Sequence, residues 1–386
     1  MTGQLNKKKI TFFLPRLHNN LRPIIDTLIE LNFEVTVLAL REGRIENHSK
    51  INYVKLKKMT ILKKKYFDTE NIKKIEFPSV TQVHRYLEDN KPDYMIIRND
   101  FTLSYIPVLI LGIFHQSKIL LYNQYPINNP SLFQFMYNQF FYKILRIRTI
   151  SPVLNRTPIV QREFSSESSE QYRLRLINDL NYDKSKKASV WVPFASSIKP
   201  SYLLDNLDVI KIVTVGKFQK RKNLDKVILL LENFAKSKEI AIELTVVGEL
   251  VDSEKNYLSY IKMLKYNLTN YINVNILFNL SHTEVTKIYE QSNIFILLSE
   301  REVASVSQVE AFLSGCSTII FFENGNLDFL PINPLFQITN SLQDINKSLD
   351  MILNVPWIRS NVLSYSSVYN ELCCGINGVN RILKLF

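Results

Sequence analysis

Short apolar runs alternate along this chain with stretches of helical spacing, and their order sets the fold. "KITFFLP" (Lys9–Pro15) reads as a buried strand, "LRPIIDTLIELNF" carries Ile24, Leu28 and Leu31 at helical spacing, and "EVTVLAL" (Glu34–Leu40) reads as the next strand. This βαβ start predicts a parallel sheet. "DYMIIRND" (Asp93–Asp100), "KILLYNQYP" (Lys118–Pro126), "IRTISPV" (Ile147–Val153) and "SVWVPF" (Ser189–Phe194) read as further buried strands. The polar "ASSIKPSYLLDN" that follows reads as a linker.

A second βα series then restarts. Strand "IKIVTVG" (Ile210–Gly216) leads through a basic turn to helix "LDKVILLLENFAKS", and "IELTVVG" (Ile242–Gly248) precedes the helical "EKNYLSYIKMLKYNL". "NVNILF", helix "HTEVTKIYEQS", strand "NIFILLS" (Asn293–Ser299) and strand "STIIFF" (Ser317–Phe322) complete it. The pattern predicts an α/β protein of two Rossmann-like parallel-sheet domains, residues 1–200 and 207–360, with a helical tail, 361–386, crossing back to the first. In such open sheets ligands bind at the carboxyl ends of the strands, so a central cleft between the domains is the expected site.

Composition changes this picture in one respect. Residues 1–200 hold 31 Lys+Arg against 17 Asp+Glu, whereas residues 201–386 hold 17 against 19, so the whole net charge of +12 belongs to the first half. The excess is densest in "KINYVKLKKMTILKKKYF" (Lys50–Phe67), followed by Lys73 and Lys74, with a second cluster in "FFYKILRIR" (Phe140–Arg148). Cations interleaved with Ile, Leu, Tyr and Phe suit an anionic membrane surface. No nucleic-acid recognition module accompanies them. The longest apolar stretch, "YIPVLILGIF" (Tyr105–Phe114), is too short to span a bilayer, and no export signal is visible, so a cytoplasmic, peripheral protein is expected. Cys316, Cys373 and Cys374 make no disulfide framework, and five scattered histidines offer no metal-site spacing.

Two segments carry chemistry. In "VTVGKFQKRKNLDKVI" a strand ends at Gly216, with Lys217 and Lys222 in the turn that delivers the next helix N-terminus. Free N–H groups and cations there favour an anion such as a diphosphate, and would stabilise it as it departs. In "SEREVASVSQVEAFLSGCSTIIFF" the strand ends at Ser299, Ser305 and Gln308 form a Ser-x-x-Gln capping signal, and a helix runs through Val306, Val309, Phe312 and Leu313 toward Gly315. Glu302 then falls in the strand-to-helix loop and Glu310 inside the helix, two carboxylates placed to accept hydrogen bonds from different parts of one hydroxyl-rich ligand.

Taken together, Gly216-Lys217 with Lys222, Val247-Gly248, Ser299 through Glu302 to Glu310-Ala311, Gly315 and "NGNLD" (Asn324–Asp328) resemble the nucleotide-binding domain of the retaining family-4 glycosyltransferases of GT-B fold, over residues 207–335 and in the family's order. The resemblance implies transfer of a sugar from a nucleotide diphospho-sugar donor to a saccharide or lipid-linked oligosaccharide acceptor in bacterial surface polysaccharide synthesis, with no metal or other cofactor. It implies that Lys217 and Lys222 bind the diphosphate, that Glu302 contacts the sugar hydroxyls, and that Glu310 binds the ribose. Gly216, Gly248, Ser305, Val306 and Gly325 would line the donor. The family's Pro-Phe-Gly is here Val303-Ala304-Ser305, and Asp328 stands where Glu is usual. On the acceptor side the family's Gly-Gly loop is "RLHNNLRP" (Arg16–Pro23), in which His18, Asn19 and Asn20 lie, and its His is replaced within "YNQYP", which offers Asn123 and Gln124. A nucleotide-sugar epimerase and a non-catalytic subunit of a glycosyltransferase complex share the architecture and stand as alternatives.

Overall fold

The computed structural model describes residues 7–17, 21–42, 48–65, 72–99, 104–123, 132–153, 166–182, 189–193, 198, 208–249, 254–300, 302, 305–321, 329–339, 341–356 and 358–386. The chain divides into two compact units, Met1–Pro152 with Tyr182–Ala195 and Cys374–Phe386, and Val153–Asn181 with Ser196–Cys373.

In the first unit the chain runs β1 (Lys9–Arg16), α1 (Arg22–Glu30), β2 (Glu34–Arg41), β3 (Asn52–Lys55), β4 (Lys58–Lys65), β5 (Ile72–Pro78), α2 (Val80–Asn90), β6 (Tyr94–Arg98), α3 (Ile106–Phe114), β7 (Lys118–Tyr122), α4 (Leu132–Leu145), β8 (Arg148–Ser151) and β9 (Ser189–Trp191). Among the described residues these form a seven-stranded sheet in the order β3-β2-β1-β6-β7-β8-β9, parallel throughout, and a separate antiparallel β4–β5 hairpin. Successive strand residues feed opposite faces, which is why the runs are apolar without alternation. Ile10, Phe12 and Leu14 join a core with Ile24, Ile25 and Leu28 of α1, while Phe13 joins another with Val83, Leu87, Val108 and Phe141 of α2, α3 and α4. Val379 and Ile382 of α12 (Gly375–Leu383) complete the α1 face.

The second unit contains α5 (Ser169–Tyr182), then β10 (Val209–Val215), α6 (Leu224–Lys238), β11 (Ala241–Gly248), α7 (Lys255–Tyr266), β12 (Ile272–Phe278), α8 (His282–Glu290), β13 (Ile294–Leu297), α9 (Val306–Leu313), β14 (Ser317–Phe321), β15 (Phe336–Thr339), α10 (Ile345–Leu353) and α11 (Ile358–Cys373). Its described sheet is parallel in the order β12-β11-β10-β13-β14-β15. The order reverses between β10 and β13, which makes the carboxyl ends of these two strands the switch point of a doubly wound sheet.

The units divide differently from the expected boundaries at 200 and 361. Residues 153–181 belong to the second unit because α5 and the residues before it are tied into it: Tyr172 Oη donates to Phe329 O at 2.6 Å, Arg175 donates to Leu330 O at 2.9 Å, and Glu167 accepts from Ile332 N at 2.6 Å. The tail is split, since α11 belongs to the second unit and Cys374–Phe386 to the first. "YIPVLILGIF" supplies α3, and the basic run supplies β3 and β4.

Candidate functional site

Both chemistry-bearing segments emerge at the switch point of the second unit. β10 ends beside Gly216, the chain turns through a short 3-10 helix at Lys220–Lys222, and Asn223 starts α6 with φ 51°. That left-handed backbone is more readily adopted by Asn than by most residues. β13 ends just before Leu298, and the chain passes Glu302 before Ser305 caps α9 by accepting from Gln308 N at 3.3 Å. The two loops are stitched together: Asn223 Nδ2 donates to Leu298 O at 2.8 Å and to Glu300 Oε1 at 3.2 Å, and Glu300 N donates to Arg221 O at 3.0 Å. Buried Asn223 is thus a positioning residue, marked in the sequence only as an Asn between a basic turn and a helix.

The stitching brings Lys222 against Glu302. Lys222 Nζ donates to Glu302 Oε2 at 2.6 Å, and Arg221 Nη1 reaches the same oxygen at 3.3 Å. Burial pulls the Lys222 ammonium below its ordinary pKa, and the carboxylate of Glu302 partly restores it. Such a group binds an incoming anion strongly, because its charge is poorly solvated. Lys217 pairs instead with Glu249 at 3.0 Å, just past the end of β11.

The two glycines explain themselves by space. A Cβ on Gly248 would stand 2.2 Å from Gly216 O, where the ends of β10 and β11 touch. A Cβ on Gly216 would stand 3.3 Å from Lys222 Cε, so the glycine leaves room for the lysine stem.

Val306 and Ser307 open α9, and Glu310 lies on its second turn, largely buried. Glu310 Oε1 lies 2.9 Å from Nε2 of His282, the first residue of α8. This bond holds the imidazole pKa above its ordinary value, against the opposing effect of burial. Nothing in the sequence marks His282, because its partner is 28 residues away and on another helix. Both helices are also held at their other ends by Arg359 of α11, a buried guanidinium that donates to Ser314 O at 2.7 Å and to Ser292 O and Tyr289 O.

The structure therefore places Lys217, Lys222, Glu302, Ser305, Val306, Glu310, Gly216 and Gly248 at one edge of the second sheet, and joins Lys222 directly to Glu302. Asn123 lies in the first unit, buried just past the carboxyl end of β7, where its N–H donates to Ile150 O at 2.8 Å. His18, Asn19, Gln124, Val303, Ala304 and Gly325, with the rest of Asn324–Asp328, lie outside the described residues. Among the described residues no three His, Cys, Asp or Glu side chains cluster as a metal site would require. None of their helices is long and apolar enough to cross a membrane.

Comparison with known proteins gives a family match over part of the chain and a likeness of fold over nearly all of it. Residues 200–354 match the family described as Glycosyl transferases group 1. No curated protein sequence matches the chain. Solved structures similar to it include the sucrose-phosphate synthase of Thermosynechococcus elongatus, at TM-score 0.65 and 12% identity over 98% of both chains. Another is the Anabaena protein HepE in complex with UDP-glucose, at TM-score 0.61 and 11% identity over 97% of this chain and 98% of that one. A third is the lipopolysaccharide outer core galactosyltransferase WaaB, at TM-score 0.56 and 11% identity over 98% of both. The chain has the α/β fold of the GT-B glycosyltransferases, with two Rossmann-like parallel sheets, and its second unit matches the group 1 glycosyl transferases.

Proposed function

We propose that this chain is a retaining, metal-independent glycosyltransferase that moves a sugar from a nucleotide diphospho-sugar to a saccharide acceptor. The observation that carries the reading is the Lys222–Glu302 pair at 2.6 Å, on the switch point of the sheet and beside the N-terminus of α9. A diphosphate entering there meets Lys222, Lys217 and the positive end of the α9 dipole. Lys222 exchanges its carboxylate partner for phosphate oxygens, and Glu302 is released to accept from the sugar hydroxyls. As the sugar–phosphate bond breaks, charge grows on the leaving diphosphate, where these fixed donors stabilise it most. The two basic side chains and the helix terminus supply the electrostatic work that a divalent cation would otherwise do. Glu310 takes the ribose. The presence of UDP-glucose in the Anabaena structure supports a nucleotide-sugar donor. Substitution of Lys222 or Glu310 by alanine is expected to abolish donor binding and turnover, measured by calorimetry and nucleoside diphosphate release; unchanged values in either variant would overturn the reading.

The acceptor, on this reading, is lipid-linked at the inner face of a bacterial membrane and belongs to surface polysaccharide synthesis, a role that the name of WaaB supports. Three observations favour an anionic surface as the partner. Residues 101–162 contain no Asp or Glu but include Lys118, Lys143, Arg146, Arg148, Arg156 and Arg162. On α4, Met136, Phe140 and Ile144 are spaced by four and are 62%, 51% and 64% exposed, an outward apolar stripe. In the β4–β5 hairpin the register sets Lys63 opposite Lys74 and Lys64 opposite Lys73, so the basic residues of both strands are gathered in one hairpin. Co-sedimentation with anionic vesicles is expected to fall when Lys63, Lys64 and Lys65 become serine; undiminished binding would reject the hairpin as the anchor.

A further inference from the structure

We propose that His282 is a positioning residue for nucleotide recognition, holding Glu310 in the orientation that reads the ribose diol; the inference rests on the donor-site reading above. Glu310 projects from a helix on a side chain with three rotatable bonds, and fixing such a chain when a ligand arrives costs affinity. In this protein the fixing precedes the ligand. His282 Nε2 stands 2.9 Å from Oε1 of Glu310, which uses one of the carboxylate's lone-pair sites and leaves Oε2 for the diol.

The helix that carries the imidazole is itself held. Ser281 caps α8 with a complete capping box: its N–H and Oγ both donate to Glu284 Oε2, at 2.7 and 2.6 Å, and its Oγ accepts from Glu284 N. The backbone carbonyl of His282 accepts from Thr286 Oγ1 at 2.9 Å. At the far end of the same two helices, Arg359 bridges Ser314 O with Ser292 O and Tyr289 O. α8 and α9 are therefore joined at both ends, by the His282–Glu310 bond at one and by Arg359 at the other, and the contact stands before any nucleotide enters. His282 is half exposed and Glu310 largely buried.

The contribution to recognition is therefore preorganisation of one acceptor, and it falls on the ribose hydroxyls rather than on the diphosphate. UDP, GDP and ADP are titrated calorimetrically against the full chain, and whichever binds is compared with its 2′-deoxy form. His282→Ala is expected to weaken the ribonucleotide by about three- to tenfold, the range for leaving one side chain to be ordered by the ligand. It should weaken the deoxy form less, and His282→Gln, which keeps a donor, should recover most of the loss. In turnover the same substitution should raise the donor KM and leave kcat unchanged. Equal weakening of both nucleotides, unchanged binding, or tighter binding in His282→Ala would overturn the inference. A fall in thermal stability with ribose discrimination intact would mean that His282 only ties the two helices, and would overturn it as well. If Glu310→Gln removes the preference for ribose and His282→Ala does not, this inference alone fails. If Glu310→Gln leaves ribonucleotide binding as in the wild type, or none of the three nucleotides binds the wild type, the donor-site reading fails and takes this inference with it.

Discussion

Replacing Lys222 by methionine tests the site most directly, because it removes a charge and keeps an unbranched stem. That stem lies along Gly216, where an added Cβ would approach Lys222 Cε to 3.3 Å, so the packing survives the change. Two effects follow, and they differ in size. In the empty protein Glu302 loses its 2.6 Å partner but keeps Arg221 at 3.3 Å. Breaking a fully buried pair costs about 3–5 kcal/mol, and the remaining cation together with the partial exposure of Glu302 brings the cost to about 1–2 kcal/mol. Methionine also escapes the burial that disfavours the ammonium, which offsets part of that cost. During transfer the loss is one charged donor to the departing diphosphate, worth about 10²–10³ in kcat, or about 3–4 kcal/mol. Nucleoside diphosphate release is followed with the donor that binds, alongside thermal unfolding. Turnover should collapse by about that factor while the melting temperature falls by only a few degrees, roughly 2–4 °C per kcal/mol for a unit of this size. Near-wild-type turnover would refute the assignment of Lys222 to the leaving group. A collapse of stability matching that of turnover would show that the pair is a structural tie.

Three further outcomes follow from the same geometry. Arg359→Met should destabilise the second unit by about 2–5 kcal/mol in urea unfolding, because its charged hydrogen bonds to Ser314 O, Ser292 O and Tyr289 O are lost in a buried place; a loss under about 1 kcal/mol would reject the clamp. Gly248→Ala should cost about 1–3 kcal/mol in stability and weaken nucleotide binding, since its Cβ would meet Gly216 O at 2.2 Å and push the Lys222 turn aside; binding and unfolding midpoints equal to wild type would contradict the contact. Donor turnover should fall on the alkaline side below the ordinary lysine range, because Lys222 must be protonated to hold the diphosphate and burial lowers its pKa. Stability from this group runs the other way: between the lowered value and the ordinary one the unfolded chain binds more protons, so stability rises with pH there. A pH–rate profile tests this, and in Lys222→Arg the alkaline fall should move upward.

The parallel sheets were legible because their strands are buried on both faces, and "IELTVVG" or "KITFFLP" can be read by apolar content alone. What escaped was structure whose partner is distant. The β4–β5 hairpin, whose partners are close in sequence, escaped for another reason: lysines fill six of its fifteen positions and a bulge between Thr60 and Leu62 interrupts its register, so no apolar alternation marks it. α5 reads as part of the first half by position, yet Tyr172 and Arg175 commit it to the second unit through Phe329 and Leu330, over 150 residues away. At the site, the spacing of Lys217, Lys222, Glu302 and Glu310 was visible, but neither Asn223 nor His282 was. Their roles depend on which loops the sheet order brings together, and that order is a long-range property.

The pairing of the charges also bears on how the site selects its ligand. Residues 201–386 carry slightly more acidic than basic residues, so no general positive field draws an anion to this half of the chain. The cations at the switch point are instead matched singly, Lys217 by Glu249 and Lys222 by Glu302, with Arg221 sharing the second carboxylate. An anion that takes Lys222 from Glu302 leaves that carboxylate without its nearest cation, which is unfavourable unless the ligand also brings hydroxyls for it. A nucleotide diphospho-sugar brings both, phosphates for the lysines and a sugar for Glu302, whereas inorganic phosphate brings only the first. On the donor-site reading, the internal pairs at the switch point therefore penalise partial ligands.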